Sequence, residues 1–264
     1  MGLFDRLFRK TEPKPEPEQK PAILIAIVLL LNESSFSLQR VVDDFAAHYH
    51  ENIDTDGDDV ASAFLLQNEQ VGLMCIDKPL PAEDIESTAP YTYTWKTASE
   101  DLKVHQAHII ITLMGGNPDP VNRFKLQTQL TCSILRTTDA IGFFNGEQSL
   151  LIQKHLYLQY AEQMDATHLP VNLWIYFGLR TQGGLHNGYT YGLNAFGKEE
   201  MEILNSDEDL YEILELLLNT TQYVLLNNIT FKPGQTLGFT EQQKIKIGYS
   251  AGNFVEGNSF KLTL

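Results

Sequence analysis

One segment gathers polar side chains that could hold a ligand or take part in catalysis. It runs from Arg180 to Tyr191 with the sequence RTQGGLHNGYTY. Loops at one end of a sheet often carry binding residues, so Arg180, His186 and Tyr191 could converge on a small molecule. The alternative is a long hairpin loop whose glycines supply positive φ angles while the polar side chains point into solvent.

Two other groups of residues could suggest a metal, and neither has suitable spacing. The acidic loop 54–59 offers clustered oxygens, but an EF-hand loop starting there would place Asp59 at its glycine position and Leu65 at its glutamate position. His48 and His50 lie two residues apart on a predicted helix, about 200° from each other. We therefore predict a solvated turn at 54–59 and no metal site.

Nucleotide motifs are missing as well. The sequence contains neither GxGxxG nor GxxxxGK[ST]. Gly115 and Gly116 lie between a predicted strand and a predicted helix, where amide groups could hold an anion. Asp119 and the two neighbouring prolines argue instead for a packed turn. We expect no cofactor, and the sequence assigns no catalytic residue.

The charge of the chain argues against nucleic acid as a partner. Lys and Arg number 19 against 34 Asp and Glu, a formal net charge of −15, and residues 21–264 alone carry 14 against 30, or −16. Nucleic acid is bound through Lys and Arg that displace counterions, and no run of five basic residues occurs. A protein partner with a basic surface is the better expectation.

The hydrophobic run at 22–31 bears on the cellular compartment. Ten residues are about half of what a helix needs to cross a bilayer, so a strand buried on both faces is the better interpretation. Cys75 and Cys132 form no CxxC pair and lie in apolar stretches, as reduced thiols do in a reducing compartment. We predict a cytoplasmic protein.

The first twenty residues differ from the rest of the chain. Within residues 1–10, Leu3, Phe4, Leu7 and Phe8 recur at helical spacing with charged residues between them. A linker rich in Pro, Glu and Lys follows. We predict a flexible tail over 1–20 and a single α+β domain over 21–264. Membrane contact is expected only through residues 1–10, which could instead enter a partner's groove or stay frayed.

Hydrophobic periodicity predicts a mixed, largely antiparallel sheet flanked by helices, that is, an α+β fold. The first half follows the ferredoxin-like order β-α-β-β-(α)-β, with residues 84–95 irregular. A capping box is predicted from Ser206 to Asp209. Predicted strands cover 22–31, 60–67, 70–77, 107–114, 140–145, 171–180, 188–196, 200–204, 242–250 and 258–263; predicted helices cover 36–50, 99–104, 120–138, 148–164 and 206–226.

The segment Glu199–Leu204 (EEMEIL) alternates charged and apolar residues, which is typical of a half-exposed strand. Acidic residues near a sheet edge prevent wrong strand pairing. A second interpretation makes Glu200 and Glu202 part of a docking face for a basic partner.

The C-terminal half resembles a known bacterial family, domain of unknown function 4261. The resemblance covers Leu173 to about Leu264 and is most specific at 190–193 (TYGL), at Phe196 and Gly197, and at 200–203 (EMEI). Upstream, Trp95 and the segment HQAHIIITLMG are also similar to longer members. The family has no established activity to transfer, and the resemblance implies an association with bacterial accessory and toxin-immunity proteins.

These observations favour a non-catalytic, protein-binding or accessory factor that contacts its partner through an acidic surface. An immunity-like protein is the most specific form of this hypothesis. The alternative is an enzyme or small-ligand-binding protein with its site near residues 180–191. The sequence sets neither the partner nor the oligomeric state.

Overall fold

The computed structural model describes residues 23–238 and 244–264. The predicted tail, with its amphipathic segment and linker, lies outside these residues. Six helices are described: α1 (Leu38–Tyr49), α2 (Ala82–Thr88), α3 (Ala98–Asp101), α4 (Pro120–Thr137), α5 (Lys154–Ala161) and α6 (Leu210–Leu226). The strands are β1 (Leu24–Leu30), β2 (Ala61–Leu66), β3 (Glu69–Ile76), β4 (Ala107–Leu113), β5 (Ala140–Asn145), β6 (Leu150–Gln153), β7 (Tyr176–Gln182), β8 (Leu185–Tyr191), β9 (Met201–Ser206), β10 (Thr236–Leu237), β11 (Ile245–Ala251) and β12 (Asn258–Thr263).

The strands form two six-stranded sheets, which confirms the α+β class and the mostly antiparallel pairing. The N-terminal sheet has the order β2-β3-β4-β1-β5-β6, and the C-terminal sheet has the order β10-β11-β12-β9-β8-β7. The expectation of one sheet is wrong, because periodicity identifies strands but not their neighbours. In the N-terminal sheet the predicted β-α-β-β-(α)-β order is present along the chain, with β4 lying between β3 and β1.

Helices α1 and α4 cover one side of the N-terminal sheet. Alternate residues of β1, including Ala26 and Val28, point to this side and are buried, as are Ile109 and Ile111 of β4. Helix α4 begins as predicted, with Pro120 in its first turn and the Asp119 Oδ1 accepting a hydrogen bond from the Val121 amide at 2.9 Å.

The two sheets contribute to one continuous core. Phe124 of α4 stacks on Phe196 with ring centroids 4.4 Å apart, and both rings contact Trp174. The Trp174 indole N–H donates to the Thr128 hydroxyl at 2.8 Å, so its polar group is satisfied inside the core. Helix α6 packs on the side of β7 and β8 that faces this common core.

Four local predictions are wrong, the first two because of tertiary contacts and the last two because of local backbone geometry and capping. The segment 84–95 is expected to be irregular, but its first residues belong to helix α2, whose Ile85 is buried against the N-terminal sheet. The helix predicted over 148–164 is split, because Leu150–Ile152 are buried and pair with β5 as strand β6. Strand β8 ends before Gly192, where φ is +120°. Asp209, not Ser206, caps α6 by accepting from the amides of the first turn.

A buried ion pair fixes the turn that follows β4. Glu69 is fully buried and Arg123 is 4% exposed, and the Arg123 Nε donates to Glu69 at 2.7 Å. The Glu69 carboxylate also accepts from the amides of Gly115 and Asn117, at 3.1 and 3.0 Å. The amides considered above for an external anion therefore hold the chain's own carboxylate, and the packed-turn interpretation is confirmed.

Replacing Glu69 with Ala is expected to lower the free energy of unfolding by about 3–5 kcal/mol, because removing one member of a buried, hydrogen-bonded ion pair is strongly destabilising. Urea denaturation measures the loss. Glu100→Ala is the matched control, since Glu100 pairs with Lys103 on the surface and its removal should leave the stability unchanged within error. Equal losses in the two variants would contradict the assignment.

Candidate functional site

The outer side of the C-terminal sheet carries aromatic rings where a solvent-facing sheet usually carries polar side chains. Register places Tyr176 opposite Tyr191 and Arg180 opposite Asn187, on the same side as Tyr189. Helix α6 covers the other side, where a Cβ on Gly188 would meet Ile213. The sheet is therefore apolar on both sides at its β7–β8 end.

The rings form a connected row. Tyr176 lies 6.2 Å from Tyr91, 6.4 Å from Tyr93 and 6.1 Å from Tyr189, measured between ring centroids. Tyr189 stacks on Phe254 at 5.2 Å with nearly parallel planes. We call these five residues, together with Tyr191 and Arg180, the aromatic face.

Gly178 makes the row possible. It lies opposite Tyr189 in the β7–β8 pair, and a Cβ built on Gly178 would lie 2.1 Å from the Tyr189 ring. Any larger residue would displace that ring, because real Cβ contacts are never so short. Because Gly178 has no side chain, the Tyr189 ring can lie flat on the sheet at this position.

Arg180 supplies the positive charge of the aromatic face. Its guanidinium lies 6.0 Å from the centroid of the Phe254 ring, within cation–π range. A hydrogen bond with Tyr189 and the electrostatic attraction of that phenol raise the Arg180 pKa. The side chain itself is exposed, so its remaining donors face solvent.

The segment 91–94 links the two sheets beside the aromatic face. The Tyr93 hydroxyl donates to the Phe177 carbonyl of edge strand β7 at 2.6 Å, and the Thr92 hydroxyl donates to the Leu151 carbonyl of edge strand β6 at 3.0 Å. A cleft of about 170 Å³ lies between these edges. Tyr160, Ile175 and Leu214 are among its apolar walls. This arrangement joins an apolar cleft to exposed tyrosines.

Of the three side chains predicted to converge near 180–191, the structure brings only two to one side of the sheet. Arg180 and Tyr191 lie on the aromatic face. His186 pairs with Thr181 on the opposite side, and its Nδ1 lies 2.9 Å from the Thr181 hydroxyl. The segment is a hairpin that turns at Gly183 and Gly184, both with the expected positive φ. The expected long loop is wrong, because the residues up to Gln182 and from Leu185 onward belong to paired strands.

Glu202 is buried, so the expectation of a half-exposed strand is wrong. Strand β9 lies between β12 and β8, and Glu202 has no exposed surface. Its carboxylate accepts from Lys261 Nζ and Ser259 Oγ, both at 2.6 Å, and from the amides of Asn253 and Phe254. Burial raises its pKa, but these donors outweigh burial and lower the pKa below 4.5. Glu202 thereby holds the loop that carries Phe254.

Glu200 is also internal. It accepts from the Thr190 hydroxyl at 2.7 Å and from the Gly192 amide at 2.8 Å. Burial raises its pKa in spite of these bonds. Residues 192–198 (GLNAFGK) share the glycine and lysine spacing of a phosphate-binding loop, with Glu199 in place of Ser or Thr. Since Glu200 fills the amide nest, this turn binds the chain's own carboxylate.

The sequence GYSAG at 248–252 matches the GxSxG pattern of serine hydrolases, and the structure accounts for this segment as a strand. Ser250 lies in β11, directly opposite Ser259 of β12. A nucleophile elbow needs a strand followed by a sharp turn into a helix, whereas β11 continues to Ala251 and then returns as an antiparallel strand. Ser250 is therefore an exposed strand residue.

The cysteines and histidines have structural surroundings. Burial raises the pKa of Cys132 to about 12, and Cys75 and Cys132 are both free thiols. His105 accepts from the Leu80 amide at 2.8 Å, and His108 Nδ1 lies 2.8 Å from the Lys78 carbonyl.

Among residues 23–238 and 244–264, no three His, Cys, Asp or Glu side chains are grouped to hold a metal ion. Within the same ranges no helix is both long and apolar enough to cross a membrane.

Comparison with known families supports the resemblance seen in the sequence. Residues 189–263 match the family model described as Domain of unknown function (DUF4261). The match begins in β8 and covers β9, α6 and β10–β12, so it includes Tyr189, Tyr191, Phe254 and both buried glutamates. No curated protein and no solved structure matches the chain.

Glu202→Gln is expected to destabilise the protein by about 2–3 kcal/mol at pH 7, because a neutral amide replaces a carboxylate bound by four donors. The folded pKa of Glu202 lies below 4.5, so its stabilisation is present above that pH and is lost as the pH falls through the folded value. The difference between wild type and variant should shrink on acidification, as measured by denaturant unfolding at several pH values.

Glu200→Gln is the control with the opposite sign. Burial raises the Glu200 pKa, so its contribution is greatest below 4.5 and is lost as the pH rises through the folded value. Wild type should gain stability relative to Glu200→Gln as the pH falls. The same pH trend in both variants would contradict these assignments.

Proposed function

We propose that this protein is a non-catalytic binding factor of the bacterial cytoplasm, accessory or immunity-like, and that the aromatic face is where it meets its protein partner. The match of residues 189–263 to a family of unknown function leaves the role open. The observation that carries the proposal is the row of tyrosines on the outer side of the C-terminal sheet.

Exposure supports this choice of surface. Tyr91 and Tyr191 are 43% and 41% exposed, although both lie next to the partly buried ring of Tyr176. Tyrosine and arginine are enriched at protein interfaces, where a ring buries a large area at a low entropic cost. Rings held in place by each other and by Gly178 lose little further freedom on binding.

Charge supports a basic partner. The chain carries −15 overall, and the exposed phenol rings can accept Lys or Arg groups over their faces. Because Glu200 and Glu202 are buried, other carboxylates supply the acidic surface in this proposal. One of them is the exposed Glu256, two residues after Phe254. Glu200 and Glu202 act by shaping the turns beneath the surface.

The alternative, an enzyme or small-ligand site near 180–191, has less support, because only Arg180 and Tyr191 lie on one side of the sheet and His186 lies on the other.

The double variant Tyr91→Ala/Tyr191→Ala is expected to weaken partner binding at least about tenfold, because each ring would be an anchor of the interface. Affinity capture from the native cell, followed by mass spectrometry, identifies the partner, and titration of that partner measures the change. Capture should fall between about 0.05 and 0.5 M salt if the partner is basic.

Tyr211→Ala is the matched control, since Tyr211 is an exposed tyrosine on α6 and lies outside the aromatic face. Both variants should keep the thermal stability of the wild type. A partner bound equally well by wild type and by the double variant, or lost equally in Tyr211→Ala, would overturn the proposal.

A further inference from the structure

The outer side of the N-terminal sheet is only partly covered. The side opposite α1 and α4 carries Leu29, Phe144 and Leu151, and these pack under the segment 80–102 with Trp95 and Leu102. That segment stops at one end of the sheet. Beyond it, among residues 23–238 and 244–264, the same side of β1, β2, β3 and β4 carries exposed apolar side chains.

Most side chains of the uncovered part are apolar. Register places Ile25 opposite Thr112, Met74 opposite Ile110 and Ala61, and Leu65 opposite Gln70, all on this side. We call it the open face; its apolar members are Ile23, Ile25, Ile27, Ala61, Ala63, Leu65, Met74, Ile110 and Met114.

Exposure of the open face is unusually high for such side chains. Leu65 is 70% exposed, Ile23 54% and Met74 46%, and Met114 reaches across to lie near Gly72. Scattered single apolar residues on a surface need no explanation, but a contiguous group across four strands marks a surface that something covers.

We propose that the chain's own N-terminal segment, through Leu3, Phe4, Leu7 and Phe8, docks on the open face. The proposal does not depend on the partner-binding role of the aromatic face. Three observations support this occupant.

The first observation is where the described chain begins. Ile23 is itself a member of the open face and leads directly into β1. Residues 11–22 separate it from the decapeptide, and twelve residues reach about 40 Å when extended. The open face spans three strand spacings, about 15 Å, which ten residues at helical rise would match. The tether is therefore long enough, and it keeps the segment at a high local concentration.

The second observation is complementarity. The decapeptide offers four large apolar residues at helical spacing, and its charged residues are Asp5, Arg6, Arg9 and Lys10, a formal charge of +2. The rest of the chain carries a large negative charge. A segment with apolar residues on one side and positive charges on the other is complementary to an apolar surface of a negatively charged protein.

The third observation is a precedent in the same fold. The other half of this side of the sheet is already closed by a segment of the chain, residues 80–102, through Ile85, Ala89 and Trp95. Covering the open face with residues 3–8 would extend the same layer, and it would remove apolar surface from water.

The methionine methyl groups give a direct test in the full-length chain. Met74 and Met114 lie on the open face, whereas Met164 and Met201 lie elsewhere and serve as internal references. With methyl-labelled methionine, Leu7→Glu/Phe8→Glu should shift the Met74 and Met114 signals and leave the two references in place. Asp5→Asn, a change on the charged side of the segment, is the control that should shift neither pair.

Other occupants give different results. Identical Met74 and Met114 signals in wild type and Leu7→Glu/Phe8→Glu would overturn the proposal. Signals that move with protein concentration in both proteins would assign the face to a second copy and overturn it too. A difference that appears only after phosphatidylglycerol vesicles are added would assign residues 3–8 to a membrane, again overturning it.

Discussion

Buried carboxylates bound by backbone amides are the interaction on which the rest of this structure depends. Glu69, Glu200 and Glu202 each accept from amides of a tight turn. A buried charge is costly unless its lone pairs are filled, so each carboxylate fixes the turn that fills them. Arg123 and Lys261 complete two of the three sites. Some of the many acidic residues of this chain are therefore buried, where each holds a turn in place.

The turns held in this way position the surfaces that matter for binding. Glu202 holds the loop from which Phe254 stacks on Tyr189, so that carboxylate positions the Phe254 end of the aromatic face. Glu200 holds the turn between β8 and β9, directly after Tyr191. The family match covers both glutamates and both turns. The matched residues therefore include both turns beneath the aromatic face, while Tyr91, Tyr93, Tyr176 and Arg180 lie outside the match.

Both sheets have one side in the common core and one side that is incompletely covered. On the C-terminal sheet the outer rings support each other and leave Tyr91 and Tyr191 partly exposed. On the N-terminal sheet the segment 80–102 closes one end and leaves Leu65 and Met74 exposed at the other. An antiparallel sheet tolerates water on one side, but apolar side chains there raise the free energy unless something packs on them.

Most elements of this chain could be predicted from local patterns, and the candidate site could not. Asp119 and Pro120 predicted the start of α4 because capping is a local interaction. The alternation in Glu199–Leu204 correctly predicted a strand, yet its burial depended on β12, which lies about sixty residues further along the chain. The split of 148–164 into β6 and α5 likewise followed from pairing with β5.

Fold class, the large negative charge and the positions of most helices and strands follow from local sequence, because periodicity, caps and charge are properties of neighbouring residues. The division of the strands into two sheets, the burial of Glu200 and Glu202, and the contact of Tyr91 with Tyr176 across 85 residues of chain depend on tertiary packing. Strand pairing and side-chain contact are settled by the packing of distant segments, which no local pattern encodes.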